Sequence, residues 1–521
     1  MFALTDLLRW RAELHPDAMA LVDEYGEDVS YSQLQNRIVD CVTHWQKRGV
    51  SAGQVVALLD TSSAAFVVNL FALARLGAVP ALLNWRLTSV EHRALLTLVE
   101  PVAIAAGQAL IDQLPEELPA IRVALHADER CPAGWVRDDT ESPTAESDAH
   151  GQAVGLPPSP SPSDVFAIGF SSGTTGRPKG IPMRHEALLR SVLVDSPGIE
   201  PMRQGARHLS VAPLFHLAGL SNLLMGLTAG AEVHLRAAFD PAAILADIER
   251  LGIEFMTGVP AMFRALVAAS KELAPPADTG SMLEMTYGAS PIAPELVREM
   301  NQLFPRSRFR QFYGMTEIAG ALTTLSPADH DPSSPHSASA GQVNPGFEVR
   351  LVDRHGEDVA DGMPGEILVK GSSVLHGYWN APDVTAEAIV DGWFKTGDIA
   401  IRSEGYLSIM DRAKDMVVTG GENVYPAEVE AVLYEHNDVA DAAVIGVPDE
   451  RFGERVHAVI VAQPGATIEL HSLTTFARAR LAGYKLPRSM ELVDELPRNP
   501  TGKVLKRELR SPHWEDKARP I

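Results

Sequence analysis

Phe170-Ser171-Ser172-Gly173-Thr174-Thr175-Gly176-Arg177-Pro178-Lys179-Gly180 is the stretch on which the reading of this chain turns. It follows Val165–Phe170, an apolar run that predicts a strand. Its glycines let the backbone turn tightly and bare its N–H groups. Four hydroxyls, one guanidinium and one ammonium add donors, so the loop suits a polyphosphate. It is not a Walker A loop. Gly173 and Gly176 stand too close together, and Lys179 is followed by Gly180 rather than by Ser or Thr. The plain alternative is a solvated Ser/Gly turn, so the decision rests on what surrounds it.

Upstream of the loop, residues 140–164 are rich in Ser, Pro, Asp and Glu and read as a surface connection. Further out, apolar β-branched runs alternate with helix-like stretches. Val55–Leu59 predicts a strand and Ala64–Leu76 a helix; Thr88 with Glu91 fits a capping box. Val165–Phe170, His208–Val211, Val233–Leu235 and Phe255–Gly258 predict later strands. Such alternation implies an α/β architecture with much parallel sheet. From about residue 341, short strands such as Val349–Val352 and Glu366–Val369 lie between glycine turns, which predicts a small β-rich subdomain. Beyond about 411 the pattern is compact α+β: helix Ala427–Tyr434, strands Ala442–Ile445 and His457–Ala462, helix Leu473–Leu481. No internal repeat is visible.

The chain has 521 residues and 45% hydrophobic content, enough for large cores in roughly three domains or subdomains. Its formal charge of −22 argues against a general nucleic-acid or anionic-membrane binder. Two cysteines, Cys41 and Cys131, leave no room for a disulfide framework or a cysteine-held metal cluster, and a reducing cytoplasm is the expected setting. The first residues, MFALTDLLRWRAELHPDA, lack the basic start and apolar run of a secretory signal. The most apolar stretch, Phe66–Leu83, is interrupted by Asn69, Arg75 and Pro80. It reads as a buried helix, a turn at Gly77–Pro80 and a short strand, not as an integral membrane segment.

Other motifs follow the loop in order: Pro213-Leu214-Phe215-His216, then Gln311-Phe312-Tyr313-Gly314-Met315-Thr316-Glu317, then Thr396-Gly397-Asp398, Gly405-Tyr406-Leu407 and Asp411-Arg412-Ala413-Lys414-Asp415. Gly420-Gly421-Glu422-Asn423 and Pro497-Arg498-Asn499-Pro500-Thr501-Gly502-Lys503 complete the set. Together with the loop they resemble the adenylate-forming superfamily, which includes acyl-CoA synthetases, peptide-synthetase adenylation domains and firefly luciferase. The resemblance runs from about residue 10 to 515. It implies an AMP-forming acyl-CoA synthetase of the fatty-acyl and 4-coumarate kind, with ATP and Mg2+ and with coenzyme A as acceptor. It also implies a large N-terminal domain, residues 1–410, of layered α/β subdomains with the small β-rich subdomain. A hinge at 411–414 and a small, mobile C-terminal α+β domain at 415–521 would follow. A monomer or homodimer is expected.

By the same resemblance, Ser171, Ser172, Gly173, Thr174, Thr175, Gly176 and Lys179 cradle the phosphates. Glu317 holds magnesium and Thr316 contacts the α-phosphate. Tyr313 and Gly314 with Gly288, Ala289 and Ser290 enclose the adenine. Asp398 accepts the ribose hydroxyls, with Arg412 nearby. His216 borders the acyl tunnel, although a histidine after Leu-Phe equally suits a core. Lys503 bridges the acid and the phosphate during adenylation. Lys414 is the pivot on which the small domain rotates between half-reactions, and Gly420 and Gly421 leave room for the pantetheine arm. These roles match the chemistry, because a carboxylate attacking phosphorus brings two anions together and needs charge neutralised in line.

This chain departs from the family pattern at Tyr287-Gly288-Ala289-Ser290-Pro291. The Tyr287 side chain either narrows the acyl pocket or packs in the core. The expected lining, His216–Ser221, Val259–Phe263, Tyr287–Ser290 and Gly314–Gly320, is mostly small or apolar and suits an apolar acyl or aryl acid. Transfer to an amino-acid amine or to a carrier-protein phosphopantetheine is the alternative to coenzyme A. A non-catalytic nucleotide sensor would have no need of Lys503, Glu317 and Asp398 together.

Overall fold

Helix Ala64–Leu76 illustrates how sequence becomes core. Ser63 caps it, its Oγ accepting the Phe66 amide at 3.0 Å. Apolar residues occupy every face, so the helix is buried along its length rather than along one stripe. The turn that ends it is shorter than expected: Gly77 and Ala78 suffice, and Pro80 lies inside the strand Val79–Leu82. There Pro80 stands opposite Val56 in a parallel pair, while the Leu83 amide donates to Leu58 O at 2.9 Å.

The computed structural model describes residues 3–127, 131–138, 156–172, 178–290, 292–331, 333–412, 415–420, 422–498 and 504–514. The chain forms two compact units: Met1–Glu348 with Lys370–Phe394, and Val349–Val369 with Lys395–Ile521.

The first unit is built on two α/β sheets. In one, the strand order is Val136–Arg137, Ile121–Leu125, Ala103–Gly107, Val55–Leu59, Val79–Leu82, Val165–Ser172, Pro178–Arg184. All its pairs are parallel except the last, a hairpin in which Ser171 faces Lys179. The other carries Arg308–Met315, Glu284–Tyr287, Phe255–Gly258, Arg207–Ser210 and Glu232–Leu235 as neighbouring parallel strands. Gly320–Leu325 adds antiparallel to Arg308–Met315. Helices Tyr31–Lys47, Ala64–Leu76, His185–Asp195 and Leu217–Ala229 contribute to the largest apolar core along with strands of both sheets. Strongly apolar parallel strands covered by helices are the expected outcome of the alternation read in the sequence.

In the second unit, residues 364–369 of strand Pro364–Gly371 lie between residues 349–352 of Phe347–Val352 and residues 395–403 of Trp393–Ser403, and Tyr406–Arg412 follows as the next strand. The C-terminal sheet pairs Val439–Asp449 with Gly453–Ala462, which also takes Ser489–Leu492 in parallel. Alternation along Val439–Asp449 splits its side chains between two cores. Ala442 and Val444 face helices Pro426–Tyr434 and Leu470–Arg478, whereas Ala443, Ile445 and Val447 face Leu496 and the last helix, Lys506–Trp514. No helix among the described residues is long and apolar enough to cross a membrane.

Candidate active site

In the first unit several candidate side chains converge because three chain reversals meet. The hairpin Val165–Ser172/Pro178–Arg184 presents Ser171 and Lys179 side by side. Strand Arg308–Met315 ends in the 3-10 turn Thr316–Ile318, and Ala319 at φ 54° throws the chain back into Gly320–Leu325. The Thr316 methyl lies against Gly169. Ser171 Oγ stands 3.5 Å from Glu317 Oε1. The segment after Gly371 supplies the third reversal: the Leu375 amide donates to Glu317 O at 2.7 Å, and the Trp379 amide donates to Gly180 O at 2.8 Å.

Tyr378 ties this junction together and was missed in the sequence reading. Its hydroxyl donates to Glu317 Oε1 at 3.3 Å, and the Lys179 ammonium sits 4.6 Å from the centre of its ring. Burial, reinforced by the Glu317 charge, pushes the Tyr378 phenol up, so it remains a donor at neutral pH. The available signal was an aromatic pair, Tyr378-Trp379, directly after Gly377. Gly173, Thr174, Thr175 and Gly176 lie outside the described residues, as does the side chain of Ser172.

Strands Glu284–Tyr287 and Arg308–Met315 end as neighbours, with Tyr287 opposite Gln311. Their continuations, Gly288-Ala289-Ser290 and Phe312-Tyr313-Gly314, therefore lie alongside each other. Gly288 has no room for a side chain, since a Cβ would come 2.6 Å from Phe312 O. Ala289 and Ser290 are exposed and Tyr313 is half-buried, so the strand ends leave an open edge between them. Gly314 marks a register shift against Gly320–Leu325.

Tyr287 turns into the core. It is 1% exposed, packs edge-on against Phe263, and places its hydroxyl 2.9 Å from His330 Nε2 and 3.2 Å from Gln311 Oε1. Of the two readings of this residue, packing is the one realised. His216 is the residue before helix Leu217–Ala229, tilted against Phe215 with ring centres 4.4 Å apart. Its Nε2 is buried with no hydrogen-bond partner among the described residues, and burial draws its pKa down to about 4. The ring is neutral at physiological pH.

In the second unit, Asp398 and Arg412 are cross-strand partners, with Nε 3.2 Å from Oδ1 and Asp398 only 5% exposed. Thr396 Oγ1 accepts the Asp398 amide at 3.1 Å. Asp411 caps helix Pro426–Tyr434 through the Ala427 amide at 2.7 Å. Gly420, at φ 61°, turns the chain between two short strands and donates its amide to Phe452 O at 2.8 Å. A Cβ there would lie 3.2 Å from the Phe452 ring. Arg451 and Arg488 both lie over that ring, whereas Arg480 and Lys485 are paired with Glu435 and Glu428. Lys414, Gly421 and Lys503 lie outside the described residues.

The chemistry of the donor set around Glu317 fits a hard divalent cation, since a half-buried carboxylate is flanked by the hydroxyls of Ser171 and Tyr378, all oxygen donors. Residues 8–379 match the model of the AMP-binding enzyme family. The chain belongs to that family. Residues 428–503 match the AMP-binding enzyme C-terminal domain. A feruloyl-CoA synthase from an Amycolatopsis species is 37% identical over 507 residues, covering 96% of this chain and 97% of that protein. An indoleacetate–CoA ligase from Aromatoleum aromaticum is 37% identical over 492 residues, covering 93% of each. Among solved structures, the o-succinylbenzoate CoA synthetase of Bacillus subtilis in complex with its acyl-adenylate superposes with a TM-score of 0.81. It is 27% identical and covers 99% of both chains. Two AMP-binding domain matches in sequence, and an α/β fold with a smaller C-terminal part, agree with the architecture expected from the motifs.

Proposed function

We propose that this AMP-forming acyl-CoA synthetase takes an apolar carboxylic acid bearing an aromatic ring, and that the residues above divide its two half-reactions. The observation that carries the reading is the junction of Ser171, Thr316, Glu317 and Tyr378, formed from three distant segments of the large unit. In the first half-reaction the acid's carboxylate oxygen bonds to the α-phosphorus of ATP. The bond from that phosphorus to the bridging oxygen breaks, and pyrophosphate leaves with its electron pair. Thr316 contacts the α-phosphate and Lys503 bridges it to the incoming carboxylate. A compact ammonium suits that task. Magnesium, when bound, neutralises phosphate charge, and Glu317 holds it. The Tyr378 hydroxyl keeps that carboxylate oriented, while its ring holds the Lys179 ammonium beside the phosphate loop. Asp398, fixed by Arg412 and the Thr396 hydroxyl network, offers paired acceptors to the ribose.

In the second half-reaction the coenzyme A sulfur bonds to the acyl carbonyl carbon and AMP departs. Gly420 and Gly421 give passage to the pantetheine arm, with a hinge at 411–414. The relatives support the aromatic assignment, as their names specify feruloyl and indoleacetate groups. The residues expected to line the acyl site, His216–Ser221 and Tyr287–Ser290 among them, are mostly small or apolar, which suits the same assignment, and Tyr287 is withdrawn into the core. A reducing cytoplasmic setting is part of this reading, supported by two unpaired cysteines, Cys41 and Cys131.

The test is pyrophosphate release across a panel of aryl, aryl-propenoic and straight-chain acids, run side by side with coenzyme A, amino acids or no acceptor. Aryl acids with coenzyme A are expected to give the highest turnover. Preference for long-chain acids would overturn the aromatic assignment. Amide without thioester would overturn the acceptor.

A further inference from the structure

Among the described residues, the adenylation chemistry leaves one cluster of ligating side chains unused. His457 lies on strand Gly453–Ala462, and Glu491 on Ser489–Leu492, which runs parallel beside it. In that pairing His457 stands opposite Ser489 and Val459 opposite Glu491, so His457 and Glu491 share one face of the sheet. His513 comes from the last helix, Lys506–Trp514. That helix is seated by Leu509 against the Val447–Val459 core and by a bond from Trp514 Nε1 to Gly446 O at 3.0 Å. The two imidazole centres are 5.0 Å apart, and one ligand atom from each residue falls within 4.8 Å of the others.

We propose that His457, Glu491 and His513 bind one divalent transition-metal ion of the zinc class, which clips the last helix to the C-terminal sheet. The decisive observation is His457 Nε2. The residue is 5% exposed, yet this nitrogen has no hydrogen-bond partner among the described residues, and it faces the Glu491 carboxylate 3.9 Å away. A buried orphan nitrogen is costly unless something fills the gap. The other ring nitrogen, Nδ1, is 2.8 Å from Ser489 Oγ, which also accepts from Arg455 Nε at 3.1 Å. With Nδ1–H donated to Ser489, the Nε2 lone pair points at the gap. Such orientation by an outer partner is the usual arrangement behind a metal-ligating histidine. Arg455, the nearby cation, is turned towards Asp449 at 3.8 Å. Glu491 is exposed and His513 half-exposed, so both are free to close by the ångström or so that zinc distances of about 2.0–2.2 Å require. Two imidazoles and a carboxylate leave a fourth position facing solvent, where water completes a tetrahedron.

The test uses the full chain, freed of metal by chelator and titrated with Zn2+ by calorimetry and with Co2+ by visible absorption. One equivalent of each ion is expected to bind, with the intense d–d bands of tetrahedral cobalt and a rise in the unfolding temperature. His513→Gln and Glu491→Gln, both at accessible positions, are expected to weaken zinc at least tenfold while keeping wild-type pyrophosphate release. His457→Gln is expected to abolish the cobalt spectrum. If the wild type binds no stoichiometric metal, or if His513→Gln and Glu491→Gln bind it as tightly as the wild type, the site is refuted.

Discussion

Lowering the pH from 6 to 5 is expected to destabilise the large unit steeply, for a reason that can be worked from four buried groups. His185, His208 and His216 are each drawn down to about 4, with burial the leading cause in every case. His185 Nδ1 accepts the Leu4 amide at 3.2 Å, and His208 Nε2 is engaged with Pro201 O at 2.9 Å while its Nδ1 is buried without a partner. Protonating any of these rings breaks a bond or strands a charge. Each unfolded ring titrates near its ordinary 6.5, so between pH 6.5 and 4 the unfolded chain holds the extra proton. Stability that is full above 6.5 is therefore lost as the pH falls. Asp195 opposes this. Burial raises it to about 6 against donors from Ser191 and Asn344. Between pH 3.8 and 6 its folded form holds the extra proton, so its contribution shrinks as the pH rises. At pH 5 each histidine contributes a difference of about 0.9 proton and Asp195 about 0.9 in the other direction, leaving nearly 2 protons in favour of the unfolded state. The expected slope is about 2–3 kcal/mol per pH unit, steepening to about 4 in Asp195→Asn. Ordinary carboxylates are already ionised in both states above pH 5, so they do not mask it. Urea unfolding followed by tryptophan fluorescence reads this unit, because six of the seven tryptophans, all but Trp514, belong to it. A flat stability between pH 5 and 6, or an Asp195→Asn profile parallel to the wild type, would refute the argument.

Three further expectations bear on the chemistry. Glu317→Gln keeps the contacts of Ser171 and Tyr378 but removes the charge; single-turnover pyrophosphate release should fall ~10²–10³-fold with the unfolding curve unchanged, and a loss below tenfold removes Glu317 from the metal. Lys503→Ala should lower adenylate formation by ~10²–10³ or more while leaving thioester formation from synthetic acyl-AMP largely intact. Equal loss in both steps contradicts the division of labour. Gly420→Leu forces a side chain onto a φ of 61° and against the Phe452 ring, so thioester formation should stop while first-turnover pyrophosphate release persists; unimpaired thioester synthesis would mean that the pantetheine passes elsewhere.

The strongly patterned elements were legible from end to end. Val55–Leu59, Ala64–Leu76 and Phe255–Gly258 have the expected bounds, because burial along nearly their whole length makes them predominantly apolar. The capping box at Thr88 and Glu91 is also present. Elements set by distant partners were less so. Ala442–Ile445 grows to Val439–Asp449, taking in Asp441 and Asp449, because the hairpin with Gly453–Ala462 supplies the pairing that local composition does not. Leu473–Leu481 is displaced to Leu470–Arg478, where Leu473 and Ala477 are the buried positions. Motif order singled out Ser171, Thr316 and Glu317, which lie together in the first unit, and Asp398 and Arg412, which pair in the second. Tyr378 escaped, since its role depends on a contact with a residue 61 positions away, and no local pattern encodes that. Tyr287 was legible as an alternative only, because its partner His330 is likewise remote in sequence.

That remoteness has a consequence for biosynthesis. Glu317 meets Ser171 across 146 residues and Tyr378 across 61, so the junction has no local precursor. A nascent chain emerges amino end first, at about 5–20 residues per second, and non-local pairings form slowly. Ser171 leaves the ribosome some 200 residues ahead of Tyr378, about 10–40 seconds earlier, and can meet Glu317 and Tyr378 together only once the tyrosine has emerged. If the junction holds nucleotide as proposed, nucleotide is expected to bind too late to template the first half of this protein as it is made. Ribosome-stalled chains ending before Gly377 should lack ATP affinity, and those carrying the chain past Trp379 and clear of the exit tunnel should acquire it.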